Sequence, residues 1–119
     1  MSPRSVGRIT ARAAFADLQR SKARGSSGPV KAVFVPARDQ EQGLFPQVGY
    51  AIGRECGGAV VRKTLRRRCR AVAHQCASEL PRGRYLIRLG ADAASVSAPT
   101  LRTHVAEALY RAGGSTVKP

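Results

Sequence analysis

The stretch Gly58–Glu79, GAVVRKTLRRRCRAVAHQCASE, decides how the rest of the chain is read. Val61, Leu65, Cys69, Val72, Cys76 and, one residue beyond it, Leu80 recur at spacings of 4, 4, 3, 4 and 4, the stripe of a single helix face. Pro81 and then Gly83 end the pattern. A helix over these residues is roughly 30 Å long at 1.5 Å per residue. Between Arg62 and Arg70, six of nine side chains are cationic, namely Arg62, Lys63, Arg66, Arg67, Arg68 and Arg70, and none is acidic. On a helical projection five of them fan over about 140° opposite the Val61/Leu65/Val72 stripe, with Arg68 near its edge. One face docks and the other presents cations. Like charges four residues apart oppose helix formation by a few tenths of a kcal/mol per pair, so an anionic partner is expected to compensate. The alternative, a solvated helix face, usually interleaves both signs, which this one does not.

Working outward, Gly53-Arg54-Glu55-Cys56-Gly57-Gly58-Ala59-Val60 precedes the helix. Glycines permit close backbone approach and a helix start offers free N–H groups to a phosphate, yet the same residues read equally well as a tight turn. The glycine spacing is neither a dinucleotide fingerprint nor a P-loop. Gln47–Gly53 alternates as a strand with Val48, Tyr50 and Ile52 on one face, behind a polar loop over 37–46. Val30, Ala32 and Phe34 alternate with Lys31, Val33 and Val35 in an earlier strand closed by Pro36. Residues 20–29 read as a connector, and Thr10 as the N-cap of a first helix reaching about Arg20, with Ala11, Ala14, Phe15 and Leu18 inward. Past Gly83, Arg84–Leu89 is a short strand. Ser97 and Pro99 then open a last helix that buries Leu101, Val105, Ala108 and Leu109 and stops at Gly113-Gly114. The order points to an α+β sheet backed by helices. We expect a single domain over 1–119 with flexible tails at about 1–7 and 114–119.

The charge balance sets the class of partner. Twenty-one Lys and Arg against seven Asp and Glu give +14, a balance that calls for a polyanion. Seventeen of the cations are Arg, which suits forked phosphate contacts, although a GC-rich genome raises Arg, Ala and Gly together. Leu, Ile, Val and Phe supply only 25 of 119 residues, so the core is small and self-repulsion weighs on it. No apolar run approaches the length of a membrane span or a secretory signal. Cys56, Cys69 and Cys76 are odd in number and lack close paired spacing, which fits a reducing cytoplasm and small core residues. His74 and His104 have no evident catalytic partner and read as surface or packing residues. No metal-ligand spacing and no paired carboxylates stand out. The N-terminal Ser and Arg residues, with Asp17 their one acid, also read as a transit peptide, but the same segment supplies the expected first helix. No paired-helix unit or dimerising heptad marks a DNA-binding protein.

Gly53–Arg70 resembles the signature of the bacterial ribonuclease P protein subunit, which runs Ser-Lys-Lys-x-Gly-x-Ala-Val-x-Arg-Asn-Arg-x-Lys-Arg-x-x-Arg. Gly57, Ala59, Val60, Arg62, Arg66, Arg67 and Arg70 stand in register, and Arg54 replaces a Lys. Gly53, Glu55 and the Lys63-Thr64 pair depart from the pattern. Arg8, Phe15 and Phe34 match basic and aromatic positions upstream, and the resemblance spans roughly residues 8–112. It implies a ribosomal-protein-like α+β fold, element order near α-β-β-(β)-α-β-α, with about four strands and a left-handed βαβ crossover, against the usual hand. It further implies an accessory role in removing the 5′ leader of precursor tRNA. A catalytic RNA does the chemistry with Mg2+, and the protein holds no cofactor or metal. Arg54, Gly57, Arg62, Lys63, Arg66, Arg67 and Arg70 would then meet the catalytic RNA. Arg8, Arg12, Phe15 and Phe34 would meet the single-stranded leader, although without the resemblance Phe15 and Phe34 read as core. The implied setting is the bacterial cytoplasm, with two RNAs as partners and no membrane or protein partner. The alternative is a ribosomal or general RNA-binding protein without nuclease association, which the charge supports equally.

Overall fold

Alternating β-branched and aromatic residues build the centre of a mixed sheet in the computed structural model, which describes residues 7–8, 23–36 and 46–114. The elements are β1 (Gly7–Arg8), β2 (Ala23–Ser27), β3 (Val30–Pro36), β4 (Gln47–Ile52), α1 (Ala59–Cys76), β5 (Gly83–Leu89) and α2 (Ala98–Ala112). Single 3-10 turns follow β4, α1 and β5. The strand order is β1-β4-β5-β3-β2, so four full strands carry a two-residue fifth at one edge. β4 runs parallel to β1 and β5, while β3 is antiparallel to β5 and β2. Parallel neighbours cannot be joined by a hairpin, and α1 supplies the crossover from β4 to β5.

The register stacks the core in rows. Ile52, Leu89 and Val30 are paired across β4, β5 and β3, as are Tyr50, Ile87 and Ala32, and then Val48, Tyr85 and Phe34. These side chains meet Leu65, Cys69, Val72, Ala73 and Cys76 of α1 and Leu101, Val105, Ala108, Leu109 and Ala112 of α2, so both helices cover one face of the sheet. Ser97 caps α2, its Oγ accepting from the Thr100 N–H at 3.3 Å, with Pro99 in the first turn, as the sequence pattern requires.

Two expectations change. Ala23–Ser27 is a strand rather than part of a connector: it pairs with β3 along its whole length, and Gly28-Pro29 makes the two-residue turn between them. Gly28 has φ +54, the left-handed backbone that such a turn takes at its first central position. The segment lacks apolar alternation, so only its partners make it a strand. Second, the buried stripe of α1 starts at Leu65, because Val61 is 40% exposed and Val60 80%; the first turn of the helix stands clear of the core. The expected helix over Thr10–Arg20, with Phe15, lies outside the described residues. So do Arg12, most of the 37–46 loop, and all of the expected tails except Gly7 and Gly114.

Candidate nucleic-acid interface

The stripe from Leu65 to Cys76 seats α1 on the sheet and thereby fixes where its cations stand. Lys63, Arg67 and Arg70 are exposed, together with His74, while Arg62, Arg66 and Arg68 are half-buried along the flanks. Among the described residues none of the six cations is paired with a carboxylate. Of the acids flanking α1 in the chain, Glu79 accepts from the Tyr110 hydroxyl, and Glu55 is exposed on the 3-10 turn before the helix; Glu107, on α2, accepts from Ser27 Oγ at 3.0 Å and lies 3.4 Å from Arg111. The row therefore projects an uncompensated positive field, which is what a phosphate backbone meets best.

The start of α1 adds to that field. Gly58 is its N-cap, no side chain among the described residues caps it, and no acid stands in its first turn, so within the described residues the leading N–H groups and the positive end of the helix dipole have no side-chain partner. A Cβ at Gly58 would meet nothing within 4 Å. Gly57 is required for the backbone itself: its φ is +138, and a Cβ there would lie 2.9 Å from the Val61 side chain. Arg54 is exposed on the 3-10 turn just before it.

The residues expected to meet the leader fare differently. Phe34 faces the helices, is 6% exposed, and stacks on Tyr85 with ring centroids 4.6 Å apart and planes at 29°. It is a core residue and offers no face to a base. Alternation along β3 leaves open which face is covered, and here α2 covers the Phe34 side. Arg8 lies on β1 opposite Val48.

Several further features are not evident from sequence alone. Lys31 and Arg88 are exposed and directly opposite one another on the sheet face away from α1 and α2, where Val33 and Leu86 are buried. Period-2 alternation holds that signal, but only the register brings the two cations together. Tyr50 stands in the seam between β4 and α1, with the Arg70 guanidinium over its ring at 5.9 Å from the centroid. Burial pushes its hydroxyl up to about 12, against the opposing pull of Arg70.

The remaining polar groups hold the fold. Burial pushes the Cys69 thiol up to about 12 in spite of nearby Arg66, and it raises Cys56 and Cys76 as well, so all three stay protonated at neutral pH. Cys56 Sγ lies 3.3 Å from the Gly90 carbonyl. His104 Nδ1 lies 2.8 Å from Ser27 Oγ, tying α2 to the β2–β3 turn. Among the described residues no group of three or more His, Cys, Asp or Glu could hold a metal ion, and no helix is long and apolar enough to cross a membrane.

Comparison with known proteins agrees with the fold. The ribonuclease P family model matches residues 4–113. The ribonuclease P protein component of Symbiobacterium thermophilum is 35% identical over 107 residues, covering 89% of this chain and 90% of the relative. Among solved structures, the RNase P protein from Staphylococcus aureus superposes with a TM-score of 0.75 at 14% identity, covering 99% of this chain and all of that one. The RNase P protein from Thermotoga maritima gives 0.72 at 19% identity, over 87% and 96% of the two chains. The structural neighbours share the small α+β fold, and the family match and the 35% relative carry the assignment: the chain belongs to the ribonuclease P protein family.

Proposed function

We propose that this chain works as the protein subunit of a bacterial ribonuclease P, docking the catalytic RNA on the exposed side of α1 and assisting removal of the 5′ leader from precursor tRNA. The observation that carries the reading is the row of cations on α1 without a carboxylate partner among the described residues. Arg62, Lys63, Arg66, Arg67 and Arg70, with Arg54 and the open helix start at Gly57-Gly58, supply charge and N–H donors to phosphates. Bond cleavage is left to the RNA and its Mg2+; the protein's part is to neutralise and orient. Arg8, Arg12 and Phe15 are proposed for the leader, and Phe34 does not belong with them because it is packed against Tyr85. The proposed setting is the bacterial cytoplasm.

The test is reconstitution with a bacterial-type catalytic RNA at low Mg2+. The protein should restore leader cleavage and cleave nothing alone. Arg66→Ala and Arg67→Ala should each weaken RNA binding and lower the slope of log K against log salt by roughly one for each phosphate no longer neutralised. Binding without restored cleavage would favour a general RNA-binding protein, and unchanged slopes would remove this side of α1 from the interface.

A further inference from the structure

Arg70 differs from the other α1 cations in having an aromatic ring beneath it. Its guanidinium lies over Tyr50, 5.9 Å from the ring centroid, and no carboxylate among the described residues pairs with it. Arg66 and Arg67, one helical turn back, repel it. The negative face of the ring is what draws it in.

Tyr50 is half-buried at the edge of the core, opposite Ile87, in the seam between β4 and α1. Its hydroxyl is buried and, among the described residues, makes no hydrogen bond of good geometry, although it lies within the field of the Arg70 guanidinium. A buried hydroxyl without a well-formed hydrogen bond costs stability. The ring is the part in use.

We infer that Tyr50 is a positioning residue for RNA binding: its ring holds the Arg70 guanidinium over the α1–β4 seam, so that the fork meets a phosphate already oriented. The inference rests on the docking role proposed for α1 and extends the interface to a residue on the sheet that carries no charge. A long side chain that is free before binding loses rotamer freedom on docking. One already held loses less, and the difference appears as affinity.

The experiment measures binding of the whole protein to a bacterial-type ribonuclease P catalytic RNA, with melting temperatures taken alongside. The proteins are the wild type, Tyr50→Phe, Tyr50→Leu, Arg70→Ala and the Tyr50→Leu/Arg70→Ala double variant. Tyr50→Phe should bind as the wild type does and melt no lower, because it keeps the ring and removes the unpaired oxygen. Tyr50→Leu should bind about two- to fivefold more weakly, the size of an exposed cation–π contact. In the Arg70→Ala background Tyr50→Leu should add nothing, since the two act as one unit.

A Tyr50→Leu loss that persists without Arg70, or Phe and Leu variants that bind alike, would overturn the positioning role. If Arg70→Ala weakens binding and Tyr50→Leu does not, this inference alone falls. If Arg70→Ala changes nothing, the docking role of α1 falls at this position and the inference with it.

Discussion

At Gly25 the backbone of α2 lies directly against β2, and a single methyl group there has nowhere to go. A Cβ at this position would lie 2.5 Å from the Ala108 carbonyl oxygen and 2.6 Å from the Ala112 nitrogen, both backbone atoms of α2. Gly25→Ala should cost about 3 kcal/mol of unfolding free energy in a urea titration, at the upper end of overpacking effects; a loss below about 0.5 kcal/mol would mean that α2 can retreat from the sheet. The sequence shows a glycine between Arg24 and Ser26 and nothing of the helix backbone above it, because residues 25 and 108 are brought together only by folding. Phe34 makes the same point from the other side. Its alternation with Val33 and Val35 is plain in the chain, yet its stacking on Tyr85 depends on the β3–β5 register. Gly57 is legible in part: a glycine before a helix start signals an unusual backbone, and the structure gives it φ +138.

α1 is the element the sequence describes best, since helix periodicity is local and six cations in nine residues need no tertiary context. The structure moves the start of its buried stripe to Leu65 and keeps the separation of docking and charged sides. That separation has a thermodynamic consequence. Arg67 is exposed between Lys63 at i−4 and Arg70 at i+3, so Arg67→Glu replaces two repulsions by two attractions. The free protein should gain about 0.5 kcal/mol in chemical denaturation while affinity for the catalytic RNA falls on the order of tenfold at low salt. A variant that is both less stable and unchanged in binding would contradict the view that this side of the helix is held charged for a partner. β2 is the opposite case. ARGSS carries no strand pattern, and it becomes a strand because β3 offers an edge, α2 lies against Gly25, and Arg111 donates to the Ser26 carbonyl at 2.6 Å.

Across the whole molecule the balance is between a modest core and a charge of +14. Anions that bind the folded surface should stabilise it, so low-millimolar phosphate is expected to raise the melting temperature by about 3 °C or more over chloride at equal ionic strength; identical melting curves would refute this. The buried acids set a second dependence. Burial holds Cys69 and Tyr50 up to about 12, and raises Cys56, Cys76, Tyr85 and Tyr110. The unfolded chain releases these protons first, near pH 8.5 for Cys and 10 for Tyr. Their contribution is whole below about pH 8.5 and is lost as pH climbs toward 12. Under reducing conditions the melting temperature should therefore fall steadily above about pH 9, and a flat profile to pH 11 would show that these groups are not held apart from water. By itself, the sequence determined the helices α1 and α2, the strands β3, β4 and β5, the cations of α1 and the net charge of +14, because periodicity and net charge are sums over neighbouring residues. Only the tertiary structure decided that β2 joins the sheet, that Phe34 is covered, and that Tyr50 lies under Arg70. Each of those depends on residues distant in the chain being brought to a few ångströms by the burial of a shared core.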